Sequence, residues 1–396
     1  IMSKSDADKT AGKAQRPRTR LAHAGRDSAG HAGAVNLPVY RVSTILHESV
    51  AALERTKPRF TYGRRGTPSS AALEDMIAEL HGGAGSVLTP SGLSACAIAI
   101  LSALESGGEL LMTDSAYEPT RVFAMKTLKR YGVETRLYDP LLGGGIAPQI
   151  SERTRAILVE SPGSQTFEIQ DIPAIAAAAR ARGVCVIADN TWASPLLCQP
   201  LSLGADIVIE SGTKSIVGHA DANIGIVTAN AAWAERVKET HYQLGQCAAG
   251  DDVYMALRGL RTLGVRIAEA ERNARALIAY LKAHPMVSRV LFPGEPDDPG
   301  HAVWKRDFKG ASGLFGVVLK PMPQKALEAM LDGLTLFGMG FSYGGYESLI
   351  IPVDPHRSVR KYAEPGPLIR ISAGLEDPAD LIADLEAGFA RARALS

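Results

Sequence analysis

The chain has 396 residues, 43 Lys and Arg against 42 Asp and Glu, and 46% hydrophobic residues, enough for a large domain and a smaller one around a substantial core. A net charge of +1 excludes a bulk electrostatic attraction to nucleic acid or a membrane surface. No apolar run is long enough to span a bilayer, and four cysteines without a CxxC pair suit the reducing cytoplasm.

Residues 2–20 carry Lys4, Lys9, Lys13, Arg16, Arg18 and Arg20 among small polar residues, without the apolar centre of a secretory signal, and are expected to form a mobile arm. Val35 to Leu46, punctuated by Pro38, is expected to drape over a neighbouring surface. Arg64 and Arg65 follow between glycines. Their planar donor pairs suit a phosphate or a carboxylate, and an exposed turn is the plain alternative.

Ser70 to Leu80 predicts a helix, with Leu73, Met76, Ile77 and Leu80 on one stripe. Residues 85–103 predict a strand, a Thr-Pro-Ser-Gly turn and a small-residue helix. The free N–H groups at that helix start make Ser91, Gly92 and Leu93 candidates for holding a phosphate. Tyr117 lies just beyond the strand Leu110 to Thr113, where its ring suits either a planar cofactor or simple packing. Strands at Val133 to Leu137 and Ala156 to Val159, with a helix at Ala174 to Arg182, continue an alternation across residues 68–228. That alternation implies an α/β fold with a doubly wound, mostly parallel sheet.

Residues 184–188 form an apolar strand that ends in Asp189, and Ile207 to Ile209 a second one that delivers Ser211, Thr213 and Lys214 into a loop. Open α/β sheets bind ligands beyond such strand ends. Two hydroxyls and an amine suit an anionic, aldehyde-bearing cofactor: donors for its phosphate and a nitrogen for a Schiff base. A lone Ser-x-Thr-Lys reads more simply as a solvated turn. Asp189 changes that reading, because a carboxylate at the same crevice keeps a pyridine nitrogen protonated. Pyridoxal 5'-phosphate meets the description.

Residues 253–284 have helical spacing interrupted by Gly259 and Gly264, and are expected to link the large domain to a smaller one. Gly313 to Leu319 predicts a strand and Lys325 to Leu331 a helix. The glycines of residues 337–348 do not have the dinucleotide fingerprint spacing, which removes a nicotinamide reading. In Leu368-Ile-Arg-Ile-Ser, Leu368, Arg370 and Ser372 share one face, and the arginine needs an anion, either a substrate carboxylate or a structural acid. Asp377 and Pro378 sign the start of the last helix.

Taken together, the motifs resemble the transsulfuration (Cys/Met metabolism) family of pyridoxal-phosphate enzymes with the aspartate-aminotransferase-like, type I fold. They are Tyr62-Gly-Arg-Arg-Gly-Thr, Ser115-Ala-Tyr-Glu-Pro, Ala188-Asp-Asn-Thr-Trp-Ala-Ser-Pro, Ser211-Gly-Thr-Lys with Gly218-His-Ala-Asp, Arg258-Gly-Leu-Arg-Thr-Leu and Leu368-Ile-Arg-Ile-Ser-Ala-Gly-Leu-Glu. Ser342-Tyr-Gly-Gly-Tyr-Glu-Ser-Leu and Trp304-Lys-Arg-Asp-Phe are most similar to the bacterial β-lyase branch, whose pattern has Trp where this chain has Tyr343.

The resemblance implies an arm at residues 1–66 that contacts a neighbouring subunit, a large cofactor domain at 67–262 and a smaller C-terminal α/β domain at 263–396. By the same resemblance Lys214 holds the cofactor and moves protons, Asp189 pairs with the pyridine nitrogen, assisted by Thr191, and Tyr117 stacks on the ring. Ser91, Gly92, Leu93, Ser211 and Thr213 hold the phosphate, joined by Tyr62 and Arg64 from a second subunit. Arg370, Ser342, Tyr343 and Arg65 face the substrate.

The expected reaction is β-elimination of a small sulfur amino acid, cystathionine, to homocysteine, pyruvate and ammonia in methionine biosynthesis. The alternatives are a cystathionine or methionine γ-lyase, a cysteine/cystine desulfhydrase, or a silent binding or regulatory protein on the same fold. The expected assembly is a homo-oligomer, a dimer with shared sites paired into a tetramer.

Overall fold

The computed structural model describes residues 15–23, 25–55 and 58–395, so Lys4, Lys9 and Lys13 of the expected arm lie outside the described residues. Residues 17–23 depart from that expectation, because they form a short docked helix. Its Leu21 is buried, Arg20 pairs with Glu79 at 3.2 Å, and Arg261 donates to the Leu21 carbonyl at 2.8 Å. Residues 35–46 stay extended, tied by a bridge between Thr44 and Tyr62, and leave Val35, Val39, Val42 and Leu46 exposed.

Helix α1 spans Pro68–His81. The Thr67 hydroxyl accepts from the Ser70 backbone while the Ser70 hydroxyl accepts from the Thr67 N–H, and Gly82 at φ 67° ends the helix in the left-handed conformation. Strands β1 (Gly85–Thr89), β2 (Glu109–Thr113), β3 (Glu134–Tyr138), β4 (Thr154–Glu160), β5 (Cys185–Asp189), β6 (Ile207–Ser211) and β7 (Gly225–Ala229) form one sheet in the order β1-β7-β6-β5-β4-β2-β3. Only β7 runs against its neighbours, so the sheet is mostly parallel.

Strand alternation sends Met112, Leu158, Ile187 and Ile209 to one face, under helix α2 (Gly92–Ala103). Leu111, Ile157, Val159 and Val186 go to the other face, under helix α3 (Ile172–Arg180). Both faces are therefore apolar, as a parallel sheet requires.

Helix α4 (Ala234–Gln243) follows the sheet, then α5 runs unbroken over Gly250–Ala283, so the boundary expected at residues 262 and 263 falls inside one continuous helix. Gly259 does not interrupt it. A Cβ there would stand 2.3 Å from the Val217 carbonyl oxygen and 2.4 Å from that of Ile216, so the glycine lets the helix press against the loop that follows Lys214. Beyond α5, strands β8 (Val287–Leu291), β9 (Leu314–Leu319), β10 (Leu349–Val353) and β11 (Leu368–Ser372) form an antiparallel sheet in the order β10-β11-β9-β8. Helices α6 (Gln324–Asp332) and α7 (Pro378–Arg393) belong to the same half, and the Asp377 carboxylate caps α7.

Candidate active site

Adjacent parallel strands β5 and β6 end together, with Asp189 opposite Ile209 in the register. Asp189 follows Ile187 on the α2 face, where the Cys96 thiol lies 4.0 Å from its Oδ2. Its Oδ1 accepts from the Thr191 backbone at 2.9 Å and from the Thr191 hydroxyl at 2.6 Å, while the Thr191 Oγ1 accepts from the Ser211 N–H at 2.9 Å. Thr191 thus ties the two strand ends to each other. Burial raises the Asp189 carboxyl above the usual range, the Thr191 bonds pull it back, Glu210 pushes it up, and Lys214 favours the ionised form.

The loop after β6 turns tightly enough for the Gly218 N–H to donate to the Lys214 carbonyl at 2.8 Å. The Lys214 Nζ donates to the Ser342 Oγ at 2.8 Å and lies 5.2 Å from the centre of the Tyr343 ring. Burial first and Arg370 second lower its pKa to about 8, against the opposing pull of Asp189. Ser342 itself adopts φ 111°, a conformation that a residue with a side chain holds only when its surroundings impose it. Its surroundings do so: the Oγ accepts from Lys214 and the carbonyl accepts from Arg370 at 3.1 Å.

Among the described residues no carboxylate pairs with Arg370, so the structural-acid alternative is not realised and the guanidinium remains available to an anion. Tyr117, 46% exposed, feels Cys96, Glu160, Asp189 and Arg370 at once, which places it on the same crevice.

The Ser91 and Ser211 segments also meet. A Cβ on Gly92 would stand 2.5 Å from the Ser211 Oγ, and one on Gly225 2.2 Å from the Ser91 carbonyl oxygen, so glycine at 92 lets the α2 start meet the β6 end and glycine at 225 lets it meet the β7 start. Leu93 is 39% exposed beside them. The Thr213 hydroxyl is already engaged, accepting from the Ile224 N–H at 2.9 Å and donating to the Ile224 carbonyl at 3.3 Å. A desolvated amine, a carboxylate, the open Ser211 hydroxyl beside helix-start N–H groups, and a free guanidinium suit an anionic aldehyde with a pyridine ring, so these residues fit pyridoxal phosphate.

Tyr62, Arg64 and Arg65 are not brought to this crevice. They line a separate open cavity of about 490 Å³ with Glu74, His241 and Asp251. There the Arg64 Nη1 donates to the Tyr242 carbonyl at 3.0 Å, and Arg65 lies 5.5 Å from the Tyr242 ring centre.

Sequence reasoning missed Glu160. It sits at the end of β4 beside Asp189, its Oε2 accepts from the Tyr117 N–H at 2.6 Å, and burial and Asp189 hold it well above the usual carboxylate range. The rule that singled out Asp189, an acid ending a buried strand, would have found it. Arg266 was also missed, and it donates to the carbonyls of Ser215 at 2.7 Å and Ile216 at 3.2 Å, fixing the turn that carries Lys214.

The chain matches the model of the family described as Cys/Met metabolism PLP-dependent enzyme over residues 18–390. It is 43% identical over 386 residues to the cystathionine beta-lyase MetC of Escherichia coli K12, covering 94% of this chain and 98% of that protein. The cystathionine beta-lyase of Salmonella typhimurium LT2 is also 43% identical over 386 residues, with the same coverage. Among solved structures, cystathionine gamma synthase from Xanthomonas oryzae pv. oryzae in complex with aminoacrylate and cysteine superposes with a TM-score of 0.90 at 32% identity, covering 97% of this chain and 100% of that one. A strand-end lysine and acid in a crevice shaped for this cofactor, together with a family match across nearly the whole chain, place the protein in the Cys/Met metabolism family of PLP-dependent enzymes.

Proposed function

We propose that the protein is a carbon–sulfur lyase that cleaves cystathionine by β-elimination to homocysteine, pyruvate and ammonia. The observation that carries this reading is 43% identity to cystathionine β-lyases over 94% of the chain, against 37% over 93% of the chain for a cystathionine γ-synthase. When bound, pyridoxal phosphate would supply an aldehyde for the substrate amine and an electron-accepting ring for the α-carbon's electron pair.

The chain's own residues supply the rest. Lys214 would hold the cofactor aldehyde and would serve as the base for the α-proton at its Nζ, which a pKa of about 8 in the free amine keeps partly unprotonated near neutrality. Ser342 holds that Nζ and Arg370 on one residue, which fixes the spacing between the base and the carboxylate site. Arg370 would take the substrate α-carboxylate, and Asp189 would hold the proton on the ring nitrogen. Tyr117 covers the ring, with its backbone tied to Glu160.

Tyr62, Arg64 and Arg65 serve the site of a second subunit. Their separation from Lys214 within one chain supports a dimer with shared sites, and the proposed assembly pairs two such dimers. Among the described residues no helix is long and apolar enough to cross a membrane, and the cytoplasm suits a chain whose Cys96, Cys185 and Cys198 are buried as free thiols. The test is the purified protein with cystathionine. Pyruvate and homocysteine in equal amounts support the reading, and 2-oxobutyrate with cysteine in their place would make the protein a γ-lyase.

A further inference from the structure

Behind the strand ends lies a buried polar cluster that the reaction does not use. His81, the last residue of α1, places its Nε2 3.3 Å from the Glu210 Oε1, without the alignment of a hydrogen bond. Asn190, next to Asp189, donates from Nδ2 to the same Oε1 at 3.2 Å and to the carbonyls of Ser194 and Cys198 at 3.0 and 3.1 Å. His81, Glu210 and Asn190 are 2%, 2% and 1% exposed, and the Glu210 Oε2 and the His81 Nδ1 have no hydrogen-bond partner among the described residues.

Strand alternation puts Glu210 on the sheet face opposite Ile209, and Asp189 on the face it shares with Ile209. Two carboxylates, the last residue of β5 and the next-to-last of β6, thus lie on opposite sides of one thin layer of backbone. In a site with little water, each disfavours ionisation of the other. Asp189 has to be ionised to hold a ring-nitrogen proton, so an uncompensated Glu210 would work against the cofactor.

We propose that His81 is a positioning residue for the cofactor site: set 3.3 Å from the Glu210 carboxylate, it compensates that buried group across the sheet and leaves Asp189 ionised. The inference rests on Asp189 being the partner of the ring nitrogen. The groups facing Asp189 are Cys96 from α2, Glu160 from β4, Glu210 from β6, Lys214 from the following loop, and Tyr117 and Tyr343 across the crevice. Among these, Lys214 is the one cationic side chain, and it is committed to the cofactor when the site is loaded.

A double-mutant cycle on the full-length protein tests this, read as the dissociation constant of pyridoxal phosphate and the position of its visible band, with a urea melt on each variant. His81→Asn is expected to weaken the cofactor by about tenfold, a moderate coupling between contacting residues. Glu210→Gln keeps the acceptor for Asn190 and removes the charge, so it is expected to leave binding unchanged or tighter. In the double variant the His81→Asn defect is expected to disappear.

Persistence of that defect in the double variant would overturn the proposal, because a packing role for His81 does not depend on the charge of residue 210. Should His81→Asn fail to fold, Glu210→Gln alone decides, and weakening beyond tenfold refutes the idea. Asp189→Asn separates the two readings. If it leaves affinity and spectrum unchanged, the role of Asp189 itself fails; if it impairs both while the cycle is additive, only the part given to His81 fails.

Discussion

An ordinary lysine keeps its proton to about pH 10.5, whereas burial and Arg370 bring Lys214 to about 8. At pH 7.5 about a quarter of Lys214 amines are then unprotonated, against about one in a thousand for an unperturbed lysine, a gain of roughly 240-fold in free base. Arg370→Gln removes the second cause and leaves the first, so the midpoint is expected to rise above 8 and stop short of 10.5.

Between those two values the unfolded chain holds this proton more firmly than the folded one. The contribution to the stability of the cofactor-free protein therefore grows as pH rises through the interval, by at most about 3 kcal/mol. Isotopic dimethylation of lysines in the cofactor-free protein, followed by NMR across the alkaline range, reads the midpoint directly, with the resonance assigned by its loss in Lys214→Arg. A wild-type midpoint near that of a free lysine would refute the electrostatic account, as would an unmoved midpoint in Arg370→Gln.

Three further outcomes are expected. Gly92→Ala forces a methyl to 2.6 Å from the Ser211 Cβ. Overpacking of this kind costs about 1–3 kcal/mol, so cofactor affinity falls roughly 5- to 150-fold, and an unchanged dissociation constant would show that the two segments do not share the phosphate. Asp114, fully buried, accepts from Arg121 at 2.7 Å and from the backbone of Ser358, Val359 and Arg360, and these bonds outweigh burial to hold its carboxyl low. Asp114→Ala is expected to cost about 3 kcal/mol or more in urea unfolding, and in the wild type this contribution is present above the unfolded carboxyl pKa and lost as pH falls through the lower folded value; a loss below about 1 kcal/mol would contradict that. Mixing inactive Lys214→Ala with Arg64→Ala subunits is expected to restore about a quarter of wild-type sites if each site draws on two chains, and no recovery would argue against sharing.

The strand ends were legible because apolar β-branched runs stop abruptly at polar residues, which located Asp189 at the end of one strand and Lys214 just beyond another, and the two strands are adjacent. Gly259 and Gly264 read as interruptions of α5 since helix propensity penalises glycine, whereas the close approach of residues 216 and 217 explains the first in the folded chain. The reversed direction of β7 leaves no local signal, being a property of its partners β1 and β6. Cys96 and His81 were illegible for the same reason: each gains its meaning from an acid more than ninety positions away, 189 and 210 respectively. Tyr62, Arg64 and Arg65 could be singled out by residue type, but a motif cannot say which chain's crevice it enters.

Borohydride reduction of the purified, cofactor-loaded protein followed by peptide mapping tests the central assignment most directly. The account predicts one pyridoxyl group per chain, on the peptide containing Lys214, with the visible band lost on reduction. Label on any other lysine, or a colourless protein that takes up no cofactor, would contradict it.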